Sequence, residues 1–450
     1  MIQRDLRENH SGARPPSGDR FDPARIPHDG RRQTFIAFGR DVGNCYLTKD
    51  PVARRIEFGR GMDQSADTHN AEGWSGAAAG RRLRVAVACP GIGLVQRGFE
   101  RFFMDIFRLV GTDLDLTLFK GGGAPAENEK VLRFIPRGGR IVRLLPVHRL
   151  FGRSPLHTEC LTFALALLPH LRNGAFDVVH TIDPPLTRVL FWLRACLGLN
   201  FRLLYTEGCA MPPGDYPPAD HMQQVAKVTF DEAVAFGHPP EAMTLLPCGF
   251  DPARLAVTRD RNALRRAHGI ADGTRVILSV AAINRGHKRT DHLIDEVARL
   301  DGDILLLLDG SLDHGDPDLL DYARARLGDR CRITHVPSDK VGELYHLADV
   351  MAHAATFEAF GLAIVEAASC GLPVLVHDAP HFSWLLDSKA CQVDMTRPGA
   401  LAARLRTLLD HPEQLDALRR ADVVRGNYAW ESLRERYVAL YRDVAALAVR

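Results

Sequence analysis

The sequence predicts an α/β protein with two Rossmann-like, doubly wound parallel sheets. Short apolar runs alternate with stretches of about 10 to 15 residues that have helical periodicity, which implies βαβ units. A glycine-rich loop joins the first apolar run to the first helical stretch. The alternation is interrupted at 246–252, which contains two prolines and a glycine, and a new apolar run begins at Val276. The chain is therefore expected to carry two such sheets in succession.

The first strand is predicted at Arg84–Cys89, followed by Pro-Gly-Ile-Gly and a helix over 99–110. A strand that is buried on both faces of a sheet gives a short continuous apolar run. Six later runs have this character, at 178–179, 202–205, 276–280, 304–308, 349–352 and 373–376. The last helical stretch, from 430 to about 446, has no strand after it, and we expect it to pack across both halves.

A chain of 450 residues exceeds the size of one compact core, and the changes of pattern divide it into domains. We expect one Rossmann-like domain over 81–250, a second over 251–428, and a terminal helix over 429–450 that packs back across them. Residues 1–80 are rich in Arg, Asp, Gly and Pro and have little periodicity. They form either a disordered extension or a stretch upstream of a true start at Met62, and they receive no functional role.

Composition and charge exclude several classes of protein. The chain is 46% apolar and 25% charged, as is typical of soluble globular proteins, and its net charge of +2 does not indicate nucleic-acid binding. The apolar stretch 186–199 is interrupted by Arg188 and Arg194, and the first residues lack the apolar core of a signal peptide. The nine cysteines show no CxxC spacing, which favours reduced thiols. These features predict a cytoplasmic protein.

The segment 357–376 carries the strongest functional signal. Gly361 lies where a loop enters a helix, and free backbone amides at 360–363 would form a site for a diphosphate. Glu366 follows Glu358 by eight residues, just over two helical turns, so one carboxylate can face a sugar while the other reaches ribose hydroxyls. Two helix carboxylates often mark a solvated face instead. This helix, however, is apolar nearly throughout, and a glutamate in it needs a polar partner.

The same segment carries a family resemblance. Glu358-Ala-Phe-Gly-Leu-Ala-Ile-Val-Glu366, followed by Gly371-Leu-Pro-Val, resembles the signature of the retaining glycosyltransferases of family four. Three further segments resemble this family's domain-junction turn, its strand with the phosphate-binding loop, and the opening of its terminal helix. They lie at 246–251, 277–291 and 428–431. The resemblance covers about residues 84–447. It implies the GT-B fold, in which two Rossmann-like domains face each other across a cleft and the last helix crosses back.

The resemblance also implies an activity. It indicates a retaining hexosyltransferase that moves a sugar from a UDP- or GDP-linked donor to a hydroxyl of a glycan or lipid-linked acceptor, without a cofactor. No nucleophile pair is visible, so we expect the acceptor hydroxyl to attack from the face that the nucleotide leaves. Two cations are expected in place of a metal, and no Asp-x-Asp motif occurs at a plausible strand end. We therefore predict no metal requirement.

Roles in the second half follow by matching the family's motif residue by residue. Glu366 would hold the ribose, and Glu358 would hold hydroxyls of the donor sugar as part of the catalytic centre. The backbone amides that would bind phosphate and sugar are those of Phe360, Gly361 and Leu362.

The cationic part of the predicted donor site departs from the family pattern at one position. Lys288 matches the family lysine that neutralises the diphosphate as the glycosidic bond breaks. The family's arginine in the same loop falls on Ala282. Arg285 or Arg289 is expected to replace it, and the sequence leaves this choice open.

In the first half, Gly91-Ile-Gly-Leu-Val-Gln-Arg-Gly-Phe-Glu100 resembles the family's glycine loop. Its backbone amides, including that of Gly93, would face the diphosphate and the acceptor. Arg97 in the same loop is assigned to the acceptor side.

The segment Asp177-Val-Val-His-Thr-Ile-Asp-Pro184 resembles the family's Asp-Val-Val-His-x-His-Asp/Glu-Pro, with Ile182 in place of the second histidine. His180 is therefore either a hydrogen-bonded core histidine or an acceptor-side residue. Asp183 is a catalytic candidate, and Glu207 is a candidate for the acceptor side of the cleft.

The stretch 130–153 is basic and partly apolar. It contains seven Lys or Arg residues and no Asp or Glu. Such a segment can lie on an anionic membrane surface at the inner face of the cell membrane, or face an anionic acceptor. The alternative is an ordinary solvated loop. The basic residues are Lys130, Arg133, Arg137, Arg140, Arg143, Arg149 and Arg153.

Two other functions compete with the transferase. One is a GT-B nucleotide-sugar epimerase, which would act on the donor without an acceptor. The other is a catalytically silent binding protein that keeps the fold, an idea supported by the departures at Ala282 and Ile182. The intact Glu358, Glu366 and Lys288 oppose the silent alternative.

Overall fold

The computed structural model describes residues 81–95, 98–139, 142, 154–209, 211–313 and 315–449. The predictions for residues 1–80 lie outside the described residues, as do those for Arg97 and for the four arginines of the basic stretch from Arg140 onward.

The first half of the chain forms a seven-stranded parallel sheet with the strand order β3-β2-β1-β4-β5-β6-β7. Val85 in the central strand β1 is paired with Leu116 on one side and Val178 on the other. The strands are β1 (Arg84–Cys89), β2 (Asp115–Lys120), β3 (Glu129–Val131), β4 (Val178–Thr181), β5 (Arg202–Glu207), β6 (His221–Gln224) and β7 (Met243–Leu245).

Alternate residues of β1 face opposite sides of this sheet. Val85 and Val87 belong to the cluster that contains helix α1 (Gly98–Val110), whereas Ala86 and Ala88 belong to the cluster that contains helices α2 (Pro155–Gly174) and α3 (Pro184–Leu197). A strand covered by helices on both faces is apolar along most of its length unless its polar side chains are hydrogen-bonded, which explains the continuous run in the sequence. The helices of this half are α1 (Gly98–Val110), α2 (Pro155–Gly174), α3 (Pro184–Leu197) and α4 (Lys227–Phe236), with 3₁₀ turns at Pro213–Asp215 and Pro240–Ala242.

The second half forms a six-stranded parallel sheet with the order β10-β9-β8-β11-β12-β13. Its strands are β8 (Arg275–Val280), β9 (Ile304–Asp309), β10 (Cys331–Thr334), β11 (Val350–Ala352), β12 (Val374–His377) and β13 (Gln392–Val393). Its helices are α5 (Pro252–Leu255), α6 (Arg261–Ala267), α7 (Thr290–Ala298), α8 (Leu319–Leu327), α9 (Val341–Leu347), α10 (Leu362–Ser369), α11 (Pro380–Leu386), α12 (Ala400–Asp410), α13 (Ala421–Tyr428) and α14 (Trp430–Ala446), with 3₁₀ segments at Gly328–Arg330 and Pro412–Leu418. The predicted fold class of two parallel sheets is confirmed.

Each of the six later apolar runs coincides with a strand, and no boundary differs by more than two residues. The shorter or more polar strands were not predicted from the sequence, and β6 shows why. Its buried Gln223 accepts a hydrogen bond from Thr206 Oγ1 at 2.8 Å and donates to the Leu246 carbonyl at 2.8 Å. A buried strand can be polar when its side chains are satisfied in this way, and an apolar pattern then fails to mark it.

The last helix, α14, packs back on the first half as predicted. A short parallel bridge joins the junction to its start: Phe250 N–H donates to the Tyr428 carbonyl at 3.0 Å, and Trp430 N–H donates to the Phe250 carbonyl at 3.1 Å. The Trp430 ring stacks on Phe102 of α1 with a centroid distance of 6.3 Å. Farther along the helix, the Tyr437 hydroxyl donates to the Pro247 carbonyl at 2.7 Å.

The carboxyl ends of the two sheets lead into helices whose first turns lie together. Leu362 Cδ1, at the start of α10, lies 3.4 Å from the position that a Cβ atom would take at Gly98, the first residue of α1. Arg101 of α1 donates to Ser338 Oγ at 3.3 Å, which joins the two halves at the same level. The loops at these strand ends therefore converge, which is where α/β proteins bind ligands.

The thiols mostly match the sequence expectation. Cys89, Cys160, Cys248 and Cys391 are buried and free. Cys209 is an exception, because it takes part in a disulfide bond.

No helix within the described ranges is long and apolar enough to cross a membrane.

His180 lies in the interior between β4 and α14, with no solvent exposure. Its Nδ1 lies 2.7 Å from the Tyr441 hydroxyl and its Nε2 lies 2.6 Å from Thr206 Oγ1. Thr206 donates to Gln223, so it accepts from an Nε2–H, and Tyr441 donates to Nδ1. The assignment of His180 to the acceptor side is therefore wrong, because both ring nitrogens are used in the core.

His180 should make folding sensitive to acid. Burial lowers the pKa of His180 from 6.5 to about 3, so the folded protein keeps the ring neutral where the unfolded chain protonates it. Stability from this group is complete above pH 6.5 and falls as the pH drops toward 3. Between pH 7 and pH 4.5 we expect the wild type to lose about 2–3 kcal/mol more unfolding free energy than His180→Gln, measured by urea denaturation. Equal losses in the two proteins would show that the buried ring does not titrate in this way.

Candidate functional site

The candidate site is built around the loop between β11 and α10. Gly361 precedes the first residue of α10 and has φ +100°, a conformation that favours glycine. Glu366 lies on this helix, whereas Glu358 lies in the loop four residues before the helix begins. The interpretation of the eight-residue spacing as two helical turns is therefore wrong. The two carboxylates still belong to one segment, because the turn at Gly361 connects them.

The first turn of α10 presents free amides. The carbonyl of Gly361 accepts from Ile364 N–H at 2.9 Å and Val365 N–H at 3.2 Å, which begins the helical hydrogen bonding. The N–H groups of Phe360, Gly361, Leu362 and Ala363 donate no hydrogen bond to any atom of the described residues. Free amides at the start of a helix bind anions, because the N–H groups and the helix dipole both favour negative charge.

Glu358 is ionised and held between the side chains of Lys288 and His353. Its Oε1 accepts from Lys288 Nζ and from His353 Nε2, the latter at 2.6 Å. The side chain is only 10% exposed. Burial alone would raise the pKa of Glu358, but the hydrogen bond and charge of His353 and the charge of Lys288 hold that pKa well below its usual range. His353 was not predicted from the sequence, although a histidine directly after an apolar strand was a visible signal.

The loop after β8 places Lys288 at this carboxylate. Asn284 closes the loop on itself: its Oδ1 accepts from Lys288 N–H at 2.8 Å, and its carbonyl accepts from Thr290 N–H at 2.9 Å. The lysine ammonium contacts Glu358, which precedes the first of the free amides, that of Phe360, by two residues in the chain.

The structure separates the two arginines that could replace the family arginine at Ala282. Arg285 binds Asp318 through two hydrogen bonds of 2.8 and 2.9 Å and also lies 3.3 Å from Asp316. This guanidinium is already paired, so its assignment to the donor site is not supported. Arg289 follows Lys288 and directly precedes α7, and its guanidinium has no hydrogen bond or ion pair within the described part of the chain. Arg289 is the arginine that remains available.

Glu366 has the polar partners that the sequence analysis required. Its Oε1 accepts from Arg254 Nη2, and its Oε2 accepts from the Tyr345 hydroxyl at 3.2 Å. Burial raises the pKa of Glu366, and Arg254 opposes that rise. Arg254 also donates to the Ser338 carbonyl at 2.7 Å. Arg254 follows the junction turn closely, and the sequence analysis missed it because nothing in the local pattern connects it to a helix more than 100 residues later.

The glycine loop of the first half is tightly packed. Gly93 has φ +81°, and a Cβ atom there would lie 2.2 Å from the Gly122 carbonyl oxygen, so only glycine fits. The Ile92 carbonyl accepts from Gly121 N–H at 3.1 Å and from Gly122 N–H at 3.0 Å. The glycine at 93 is thus required by packing between the loops after β1 and β2, whatever ligand its amide meets.

Glu207 does not face an acceptor. It is 1% exposed and accepts from the Tyr205 hydroxyl at 2.6 Å, Cys209 N–H at 2.8 Å and Met211 N–H at 3.2 Å. The carboxylate therefore fixes the loop after β5, and its acceptor-side assignment is wrong. Asp183 is half-buried at the start of α3, just beyond the carboxyl end of β4, and keeps a position at the converging edge. Its neighbour Ile182 is buried.

The described part of the basic stretch divides into two kinds of residue. Arg137 pairs with the buried Glu159 at 3.2 Å, so its charge is neutralised inside the fold. Lys130 and Arg133 are exposed.

Among the residues that the structure describes, no group of three or more His, Cys, Asp or Glu side chains could hold a metal ion.

Comparison with known proteins agrees with this geometry. Residues 260–422 match the family of glycosyl transferases group 1. A D-inositol 3-phosphate glycosyltransferase of Geodermatophilus obscurus is 27% identical over 340 residues, which cover 65% of this chain and 73% of that protein.

Solved structures share the fold at low sequence identity. Sucrose-phosphate synthase (tll1590) from Thermosynechococcus elongatus has a TM-score of 0.67 at 18% identity, covering 82% of this chain and 100% of that chain. Anabaena Alr3699/HepE in complex with UDP-glucose has a TM-score of 0.62 at 16% identity, covering 80% and 100%. The chain therefore has the GT-B fold, and its segment 260–422 is similar to the glycosyl transferases group 1.

Proposed function

We propose that this enzyme transfers a hexosyl group from a UDP-sugar to a hydroxyl of a glycan or lipid-linked acceptor, with retention and without a metal. One observation carries the proposal: the free amides of α10, the ammonium of Lys288 and the ionised carboxylate of Glu358 lie at one loop. These groups match features of a nucleotide-sugar. The amides suit the phosphate oxygens, the ammonium suits the charge of the diphosphate, and the carboxylate suits the sugar hydroxyls. The choice of uridine over guanosine is supported by the relative that was solved with UDP-glucose.

The diphosphate is assigned to the amides of residues 360–363, with Lys288 and Arg289 as the two cations. A breaking glycosidic bond transfers negative charge to the leaving nucleotide, and fixed donors at that point stabilise the transition state more than the bound donor. Two cations and a helix start supply this stabilisation, which supports the proposed metal independence. The ribose is assigned to Glu366, which would share its carboxylate between Arg254 and the ribose hydroxyls.

The acceptor side is assigned to the carboxyl edge of the first sheet, with Asp183 as the candidate that orients the acceptor. The acceptor oxygen forms a bond to the anomeric carbon on the face from which the nucleotide departs, and the bond from that carbon to phosphate oxygen breaks. The proton of the hydroxyl goes to the leaving phosphate, so charge and atoms balance. Positioning and electrostatics provide the catalysis in this mechanism.

The acceptor class and location remain part of the proposal. The exposed Lys130 and Arg133 would contact an anionic acceptor or the anionic lipids at the inner face of the cell membrane. A cytoplasmic enzyme with peripheral membrane contact fits these charges. The alternative of a catalytically silent binding protein is based on the departures at Ala282 and Ile182. Such a protein would bind a nucleotide-sugar without transferring its sugar, and this difference distinguishes it from the transferase.

The ribose assignment predicts an effect on nucleotide affinity. By isothermal calorimetry with EDTA present, we expect UDP to bind with a Kd on the order of micromolar, and Glu366→Gln to weaken it by about tenfold or more because a neutral amide accepts ribose hydroxyls poorly. Glu431→Gln, an exposed position on α14, is the matched control and should bind as the wild type does. Tighter binding of GDP than of UDP would show that guanosine is the preferred base. Absence of binding to both nucleotides would contradict the proposed donor site.

The two arginines of the loop after β8 give a second prediction. Arg289→Gln should weaken UDP binding by about tenfold while leaving uridine binding unchanged, because the lost charge acts on phosphate. Arg285→Gln should leave both affinities within about twofold, because its guanidinium is already paired with Asp316 and Asp318. The reverse pattern, in which Arg285→Gln alone weakens UDP, would show that the arginine pairs rearrange around the ligand.

A further inference from the structure

We infer that His353 is a positioning residue of the donor site, which fixes one oxygen of Glu358 and leaves the other for the sugar hydroxyls. The inference deepens the proposed function, because it rests on the assignment of Glu358 to the donor sugar. It concerns a side chain that lies beside the reacting groups without contacting them.

The backbone holds His353 rigidly at the end of the second sheet. It follows the last residue of β11 directly, and its N–H donates to the Leu375 carbonyl of β12 at 2.9 Å. The residue is 3% exposed, so its ring has little freedom. A group carried at a strand end and packed on all sides is suited to orienting another side chain.

The hydrogen bonds to Glu358 are asymmetric. His353 Nε2, Lys288 Nζ and the more distant His287 Nε2, at 3.9 Å, all approach Oε1. Oε2 makes no hydrogen bond with the described residues, although the carboxylate retains some exposure. Because a carboxylate can only accept, His353 must donate from Nε2, which sets the ring's orientation. Oε2 is therefore the oxygen that remains to accept from a donor hydroxyl.

His353 also explains how Lys288 can serve two anions. In the proposed complex the ammonium of Lys288 turns toward the diphosphate, which withdraws part of its interaction from Glu358. A buried carboxylate that loses its only partner would be strongly destabilised or would take up a proton. The hydrogen bond from His353 keeps Glu358 ionised while Lys288 is engaged elsewhere.

Two other histidines hold the same loop through its backbone. His287 Nε2 donates to the Phe357 carbonyl at 2.7 Å, and His381 Nε2 donates to the Phe360 carbonyl at 2.9 Å. The loop from 357 to 360 is thus bound on both sides of Glu358, and His353 is the histidine that acts on the carboxylate itself. The charged groups near Glu358 are Lys288 and, when protonated, these histidines.

The test compares His353→Leu with His353→Gln in the full-length protein. The Gln side-chain amide can present an N–H close to the position of Nε2, whereas Leu fills the space without a donor. The ligands are UDP and the UDP-sugar that gives the fastest UDP release among UDP-glucose, UDP-galactose and UDP-N-acetylglucosamine. We expect His353→Leu to bind UDP within about twofold of the wild type but to lose about tenfold or more in UDP-sugar affinity and UDP release. His353→Gln should recover most of both losses.

Retained UDP binding shows that His353→Leu is folded and that the nucleotide site is intact. If His353→Leu then discriminates between UDP-sugar and UDP as the wild type does, the positioning role is overturned. Failure of the wild type to bind any UDP ligand would instead contradict the proposed donor site.

A measurement without ligand distinguishes failure of the positioning role of His353 from failure of the proposed donor site. The ¹³C-carboxyl resonance of Glu358, assigned by its loss in Glu358→Gln, should titrate at higher pH in His353→Leu than in the wild type, with His353→Gln between them. An unchanged titration in His353→Leu would show that His353 does not hold this carboxylate.

Discussion

The site depends on keeping one carboxylate charged where little water reaches it. Glu358 is 10% exposed, and an isolated anion in such a place would take up a proton or leave the interior. Lys288 and His353 prevent this from two directions, one from the loop after β8 and one from the end of β11. Because β8 and β11 are adjacent in the parallel sheet, their carboxyl ends bring both groups to the same loop. The charge of Glu358 is thus a consequence of sheet topology as well as of local sequence.

The rest of the fold brings this edge to a second one. The first sheet ends at the same level, where Gly98 of α1 lies against Leu362 of α10 and Arg101 reaches Ser338. The long return of α14 holds the arrangement, because its Trp430 and Tyr437 pack into the first half while its start is bridged to Phe250. A donor bound at α10 would therefore face the loops of the first sheet, where Asp183 lies. Two sheets with apolar cores can supply a polar site only at these converging ends.

Much of the fold could be predicted from sequence, because most of the strands buried on both faces are apolar along nearly their whole length. The prediction failed where buried residues are polar. Strand β6 contains the hydrogen-bonded Gln223 and was not predicted. His180 and Glu207 were assigned to the acceptor side, but their hydrogen bonds lie in the core. The segment around Gly361 was recognisable because a helix start, a glycine and two glutamates are local. Arg254 and His353 act on those glutamates from other elements, and one sequence does not reveal such pairings. The sequence likewise does not reveal that Arg285 is paired with Asp318.

A crystal structure of the complex with the preferred UDP-sugar tests the central claim most directly. The account predicts phosphate oxygens within hydrogen-bond distance of the amides at 360–363 and of Lys288 Nζ, and a sugar hydroxyl on Glu358 Oε2 while His353 remains on Oε1. A nucleotide-sugar bound with its phosphates away from the start of α10, or with Glu358 out of contact with the sugar, would contradict it.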